Sequence, residues 1–169
     1  LITGAASGIG RCTAERFLER GDEVHICDIS AHLVEEFLDA NPSATGSVAD
    51  IGNREDVKRV FAELARRHEH LDVLVNNAGI AGPTAPIDAH DEDGWNECVQ
   101  VNLSGTFYVT KRAVPLLRKS GGGAIINMLS IIARVSLPAY GSLCASKAAG
   151  LLMTQGIRAE LAKQHTQVL

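Results

Sequence analysis

Several things are scarce in this sequence, and each scarcity excludes something. There is no basic surplus: 16 Lys and Arg stand against 20 Asp and Glu, a net charge of −4. No positive field is therefore available to hold a nucleic-acid backbone, and DNA or RNA is excluded as the main partner. No apolar run approaches the roughly 20 residues that span a bilayer, and no charged-then-apolar leader precedes the first glycines. The expectation is a soluble, cytoplasmic protein without a membrane partner. The four cysteines, Cys12, Cys27, Cys98 and Cys144, lack paired metal-ligand spacing and read as free, mostly packed thiols. No metal site is expected. Repeats, low-complexity tracts and inter-domain linkers are missing as well. Hydrophobic residues at 46% and charged residues at 21% are ordinary for a globular chain, so residues 1–169 read as one domain with a sizeable core.

What is present begins with Thr3-Gly4-Ala5-Ala6-Ser7-Gly8-Ile9-Gly10. Leu1 and Ile2 read as the end of a buried strand, and Arg11 to Arg20 carries Ala14, Phe17 and Leu18 at helical spacing. The glycines thus sit between a strand and a helix, where a mononucleotide-binding turn belongs. They permit a tight turn and close approach of backbone to a pyrophosphate, whose charge falls on the free N–H groups of the helix N-terminus. The spacing is Gly-x-x-x-Gly-x-Gly, and tight packing alone can also produce it. A second apolar strand, Val24 to Asp28, strengthens the nucleotide reading by ending in a carboxylate close to where a ribose-binding acid is expected.

Strand and helix patterns then alternate. Ala31 to Ala40 is helical and stopped by Asn41-Pro42-Ser43, and a short strand follows over Thr45 to Ala49. Asn53 caps a helix running through His68, with Val57, Val60, Phe61 and Leu64 on one face. Leu71 to Val75 is a continuous apolar strand of the kind that parallel sheets bury on both sides. Asp91 to Ser120 reads as one long helix, acidic at its start and basic at its end, with Pro115 expected to bend or break its last turns. Ala124 to Leu129 is a further strand, Pro138 precedes a helix running to about Gln164, and Gln167 to Leu169 opens a sixth strand. Six strands alternating with five helices predict an α/β fold, a three-layer, doubly wound parallel sheet of Rossmann-like type. With no initial Met and a stub of a first strand, the domain is expected to be truncated at both ends, a fragment of a longer single-domain protein.

Four stretches in order, Thr3 to Gly10, Asn76 to Gly79, Val101-Asn102 and Ser130 through Lys147, resemble the short-chain dehydrogenases/reductases, and the likeness covers essentially the whole chain. The resemblance implies an oxidoreductase passing hydride between NAD and a small alcohol or carbonyl substrate. It implies that Gly4, Ser7, Gly8, Ile9 and Gly10 form the pyrophosphate turn. Asp28 would accept hydrogen bonds from the adenosine ribose, its charge repelling a 2′-phosphate and favouring NAD over NADP. Asp50 would meet the adenine amino group and Ile51 would pack on the ring, although Asp50 on its own reads as a turn residue before a helix. Asn77, Ala78 and Gly79 would line the path to the nicotinamide ribose, while Asn76 pins a neighbouring strand. Arg11 is either a phosphate partner or, more simply, a surface charge.

In the family a tyrosine hydroxyl exchanges a proton with the substrate oxygen. A lysine four residues on lowers that hydroxyl's pKa and holds the ribose, a serine orients the substrate, and an asparagine in a kinked helix anchors a water in the proton relay. Lys147, Ser130 and Asn102 match. The tyrosine does not: counting back four from Lys147 gives Leu143, which can neither donate nor accept a proton. Tyr140 is three residues off and is assigned to packing or capping the substrate pocket; Ser142 and Cys144 are rotated away from it. The alternatives are therefore an oxidoreductase weakened at one position, a cofactor-binding scaffold without turnover, or a non-redox reaction on the same fold. The intact nucleotide turn speaks against the last. Loops Ile80 to Ile87 and Ile131 to Leu137 suggest a moderately apolar pocket, and the family's habit of pairing its long helices implies a homodimer or homotetramer. His68 and His70 read as solvated or helix-capping, and Trp95 as a core or interface anchor.

Overall fold

The computed structural model describes residues 1–169. Six strands, β1 (Ile2–Thr3), β2 (His25–Asp28), β3 (Thr45–Val48), β4 (Val73–Asn76), β5 (Gly123–Asn127) and β6 (Thr166–Val168), form one sheet in the order β3-β2-β1-β4-β5-β6. Every pairing is parallel, with Ile2 aligned on Ile26 and Val75, and Val73 to Asn76 on Ala124 to Asn127.

Side chains of a strand alternate between faces, and here both faces are apolar. Leu1, Cys27, Leu74, Ile125 and Val168 point into one core. Helix α3 (Arg54–Ala65), helix α5 (Thr106–Lys119) and the end of α6 (Gly141–Leu161) cover it, through residues such as Val57, Phe61, Leu64, Val109, Leu117 and Leu161. Ile2, Ile26 and Val75 point into the other core, covered by α1 (Gly8–Glu19) and α2 (Ala31–Ala40) with Ala14, Val34 and Phe37. The strand order reverses between β1 and β4. A crevice opens beyond their carboxyl ends, where ligands of open α/β sheets sit.

The element boundaries shift by a few residues from the sequence expectation, and one element changes kind. The helix after Asn53, whose side chain accepts the N–H groups of Glu55 and Asp56, ends at Ala65 and continues to Arg67 only as turns. The segment expected as one helix over 91–120 is three pieces: α4 (Glu92–Val99), a π-helical stretch Gln100–Gly105, and α5. The irregularity falls at Asn102, where the resemblance implied a kinked helix, and Pro115 does not break α5, which contains it. Proline deprives the carbonyl of Lys111 of its partner, but both residues lie on the exposed side, where water replaces the bond. The last helix begins at Gly141, three residues after Pro138.

Candidate functional site

The turn between β1 and α1 is built by close approach. Gly4 has φ +59°, and a Cβ there would stand 2.7 Å from the Cα of Ala78. At Gly10 a Cβ would run into the carbonyl oxygen of Gly4 and come within 2.6 Å of Asn77 Nδ2. Neither position admits a side chain. Helix α1 starts at Gly8 with Ser7 as N-cap, whose hydroxyl makes no capping bond. The first-turn N–H groups of Gly8, Ile9 and Gly10 have no carbonyl within the helix to bind, and no side chain would lie within 4 Å of a Cβ at Gly8. An open, positively polarised helix end results.

Two hydrogen-bond systems hold this turn. Thr3 Oγ1 accepts the N–H groups of Asn77 and Ala78, each at 3.1 Å, while Asn77 Nδ2 donates to the carbonyls of Thr3 (3.1 Å) and Gly4 (2.8 Å). The ends of β1 and β4 are thereby riveted across the crevice. On the other side Asp28 accepts the N–H of Ala6 at Oδ2 (3.1 Å) and of Ser30 at Oδ1 (3.2 Å). Asn76, next to Asn77, donates to Asn127 Oδ1 (2.8 Å) and Thr110 Oγ1 (3.0 Å), tying the neighbouring strand β5 as expected and also α5.

Farther out on the same side, Asp50 Oδ1 accepts the N–H of Gly52 (2.8 Å) while its own N–H donates to Asp56 Oδ2 (2.9 Å), so it does shape the turn into α3. Ile51 is a core residue, 5% exposed, and its side chain packs at the position where Gly105 lacks one. Arg11 donates to Glu15 (2.9 Å), lies 3.6 Å from Glu36 and stacks over Phe37, a surface tie between α1 and α2.

At the opposite end of the crevice stand Asn102, Ser130, Leu143 and Lys147. The π-helical bulge carries Asn102, whose Oδ1 accepts the N–H of Ile80 (2.8 Å) and whose Nδ2 donates to the Ile80 carbonyl (2.9 Å). Lys147 Nζ donates to the carbonyl of Met128 (2.8 Å), the residue just beyond β5, and burial lowers its pKa from the ordinary lysine value. Gly79 lies between the two: a Cβ there would be 3.0 Å from Asn102 Oδ1 and 3.5 Å from Lys147 Nζ. Ser130 is exposed and its hydroxyl accepts the N–H of Ile132 at 3.4 Å. Leu143 is half-buried one turn before Lys147. Ser142 and Cys144 are buried beside it, the former against Gly82 and Cys98, the latter on Leu137, so neither takes its place.

Tyr140 is the residue before α6 and is 36% exposed. Trp95 meets His90 edge-on at 5.5 Å and closes on Gly141 at the start of α6. His68 and His70 face Glu23 and Asp72 at the far end of the sheet. All four cysteines are free, no group of three or more His, Cys, Asp or Glu is placed to hold a metal, and no helix is long and apolar enough to cross a membrane. The sequence pattern singles out neither Ala6 nor Ser146, although the first binds Asp28 through its N–H and the second accepts a hydrogen bond from Asn102. Ala6 acts through its backbone and Ser146 through a contact between distant helices, and neither leaves a local signal.

Residues 1–169 match a family described as short chain dehydrogenase. Among curated proteins, the chain is 35% identical over 169 residues to an NAD-dependent glycerol dehydrogenase of Listeria innocua, covering 99% of this chain and 66% of that protein. Among solved structures, it superposes on a 3-ketoacyl-ACP reductase of Sinorhizobium meliloti with TM-score 0.91 at 36% identity, covering 98% of this chain and 67% of that one. It superposes on an NAD⁺-bound xylitol dehydrogenase with TM-score 0.93 at 26% identity, covering 98% and 65%. The chain thus spans about two thirds of the length of these proteins.

Proposed function

The chain belongs to the short-chain dehydrogenase/reductase family, and from that premise we propose that it binds NAD(H) in the crevice beyond β1 and β4 and serves hydride transfer on a small alcohol or ketone. One observation carries the proposal. The open N-terminus of α1, the two glycines that exclude side chains and the carboxylate of Asp28 form a single bonded unit, and its donors and acceptor match a diphosphate followed by a ribose diol. The cofactor fits on these grounds: the N–H groups of Gly8, Ile9 and Gly10 take the diphosphate, Asp28 the ribose hydroxyls, and Asp50, with Ile51 beneath it, borders the adenine. Asn77 braces the turn, and Ala78 and Gly79 form the wall toward the nicotinamide ribose.

When bound, the nicotinamide supplies or accepts the hydride; the protein's part is to hold both partners and manage the proton. Lys147, held by the Met128 carbonyl, is within a residue's breadth of Gly79 and is assigned to the ribose hydroxyls. Ser130, exposed at the mouth, orients the substrate oxygen, and Asn102 holds the loop that faces it. The proton has no carrier at residue 143. A positioned acid contributes about 10²- to 10⁴-fold in rate, so Leu143 favours a second reading beside the first: an NAD-binding scaffold with little or no redox turnover.

Titrating the chain with NADH and with NADPH, followed by fluorescence, tests the cofactor assignment. Saturable NADH binding with NADPH at least 10-fold weaker is expected; equal or tighter binding of NADPH overturns the role of Asp28. Self-association as a dimer or tetramer and a cytoplasmic location rest on the family likeness and belong to the same proposal.

A further inference from the structure

Ser146 precedes Lys147 on α6 and is 1% exposed. Its hydroxyl donates to the carbonyl of Leu143 at 3.0 Å. With its one proton so committed, the oxygen faces Asn102 as an acceptor, and Asn102 Nδ2 donates to it at 3.1 Å. The Asn102 amide is thereby used on all sides: Oδ1 takes the Ile80 N–H, one amide hydrogen goes to the Ile80 carbonyl, and the other goes to Ser146, with the thiol of Cys98 at 3.3 Å as a poorer neighbour. Exchanging the amide oxygen and nitrogen would set donor against donor at Ile80.

The consequence lies on the opposite side of Asn102. Its Oδ1 and Lys147 Nζ both border the open side of Gly79, 3.0 and 3.5 Å from where a Cβ would stand. Two adjacent residues of α6 therefore meet at the same loop, Ser146 by way of Asn102 and Lys147 directly. We propose that Ser146 is a positioning residue: by anchoring the Asn102 amide to α6 it fixes Gly79 and Ile80 at the distance from Lys147 that the nicotinamide half of the cofactor requires. This rests on the NAD(H) reading above. Without the Ser146 oxygen one buried amide hydrogen keeps only a sulfur, the π-helical bulge loses its bond to α6, and the wall beside Lys147 loosens. The glycine turn and Asp28, at the far end of the crevice, are untouched.

The test compares NADH with ADP, which has the adenosine and diphosphate but neither the nicotinamide nor its ribose, on the unmodified chain and on Ser146→Ala. The expected result is about a 10-fold loss of NADH affinity with ADP affinity held within two-fold. A purely structural serine would lower both affinities together, or lower thermal stability alone, and either outcome overturns the proposal. If neither ligand binds the unmodified chain, the NAD(H) reading fails and this inference fails with it; if both bind and Ser146→Ala changes neither, the inference fails alone. Should Ser146→Ala not fold, Ser146→Cys nearly keeps the size with a weaker acceptor toward Asn102, and a selective loss of about three-fold for NADH is expected; no selective loss overturns the proposal.

Discussion

The backbone N–H of Ala6 donates to the carboxylate of Asp28 at 3.1 Å, so the acid at the tip of β2 and the glycine turn after β1 are one mechanical unit. Asp28 also accepts from Ser30, which leaves the carboxylate fixed before any ligand arrives. A fixed acceptor costs little further ordering when a ribose diol meets it, and a fixed negative charge repels a phosphate on that ribose.

Asp28→Asn keeps the size and one acceptor oxygen but removes the charge. Its expected effect is a 10-fold or greater fall in the preference for NADH over NADPH, with NADH itself weakened because charge-assisted bonds are the stronger ones. Parallel titrations with the two reduced cofactors read this directly. An unchanged ratio would move the selection elsewhere.

Leu143 lies one helical turn before Lys147, where a phenolic hydroxyl would share its face. Leu143→Tyr is expected to raise hydride transfer by about 10²- to 10⁴-fold on a panel of ketones and alcohols, read as NADH absorbance. A variant that binds NADH but gains nothing would show that this one hydroxyl does not limit turnover, and would favour the scaffold reading.

His25, buried between β2 and β3, gives a pH prediction. Ser47 donates its proton to Glu63 and so accepts from His25 Nε2 at 2.9 Å, while Thr45 Oγ1, 2.7 Å from Nδ1, donates to that nitrogen. The neutral ring is fully bonded. Burial first, then the neighbouring His68 and Arg67 against the opposing Glu63, push its pKa down to about 4. The unfolded chain, at the ordinary value of 6.5, binds more protons between those limits, so this group's stabilisation is complete above about pH 6.5 and is lost as pH falls toward 4. The loss amounts to about 3 kcal/mol, because a tenfold difference in proton affinity between the folded and unfolded chain is worth about 1.4 kcal/mol. Urea unfolding at pH 7, 6, 5 and 4 is expected to show a steeper fall for the unmodified chain than for His25→Asn; parallel curves would contradict the account.

Much of the fold and site is legible in the sequence because the signals are local. Leu74 and Val75 read as a strand buried on both sides, and they do divide between the two cores. The glycine turn, the second strand ending at Asp28 and the register that leaves Leu143 before Lys147 are spacings along one segment. What is not legible depends on distant contacts. The π-helical bulge has no signature in Gln100 to Gly105 taken alone; it is held by Asn102 on Ile80 and by Gly105 against Ile51. Pro115 misleads in the opposite direction, since the penalty of a missing N–H is small where the orphaned carbonyl faces water.

A crystal of the chain soaked in NAD⁺ tests the central claim most directly. The account predicts the diphosphate on the N–H groups of Gly8, Ile9 and Gly10, with the adenosine ribose hydroxyls on Asp28. A crevice that stays empty at saturating NAD⁺, or a dinucleotide bound away from Asp28, would contradict it.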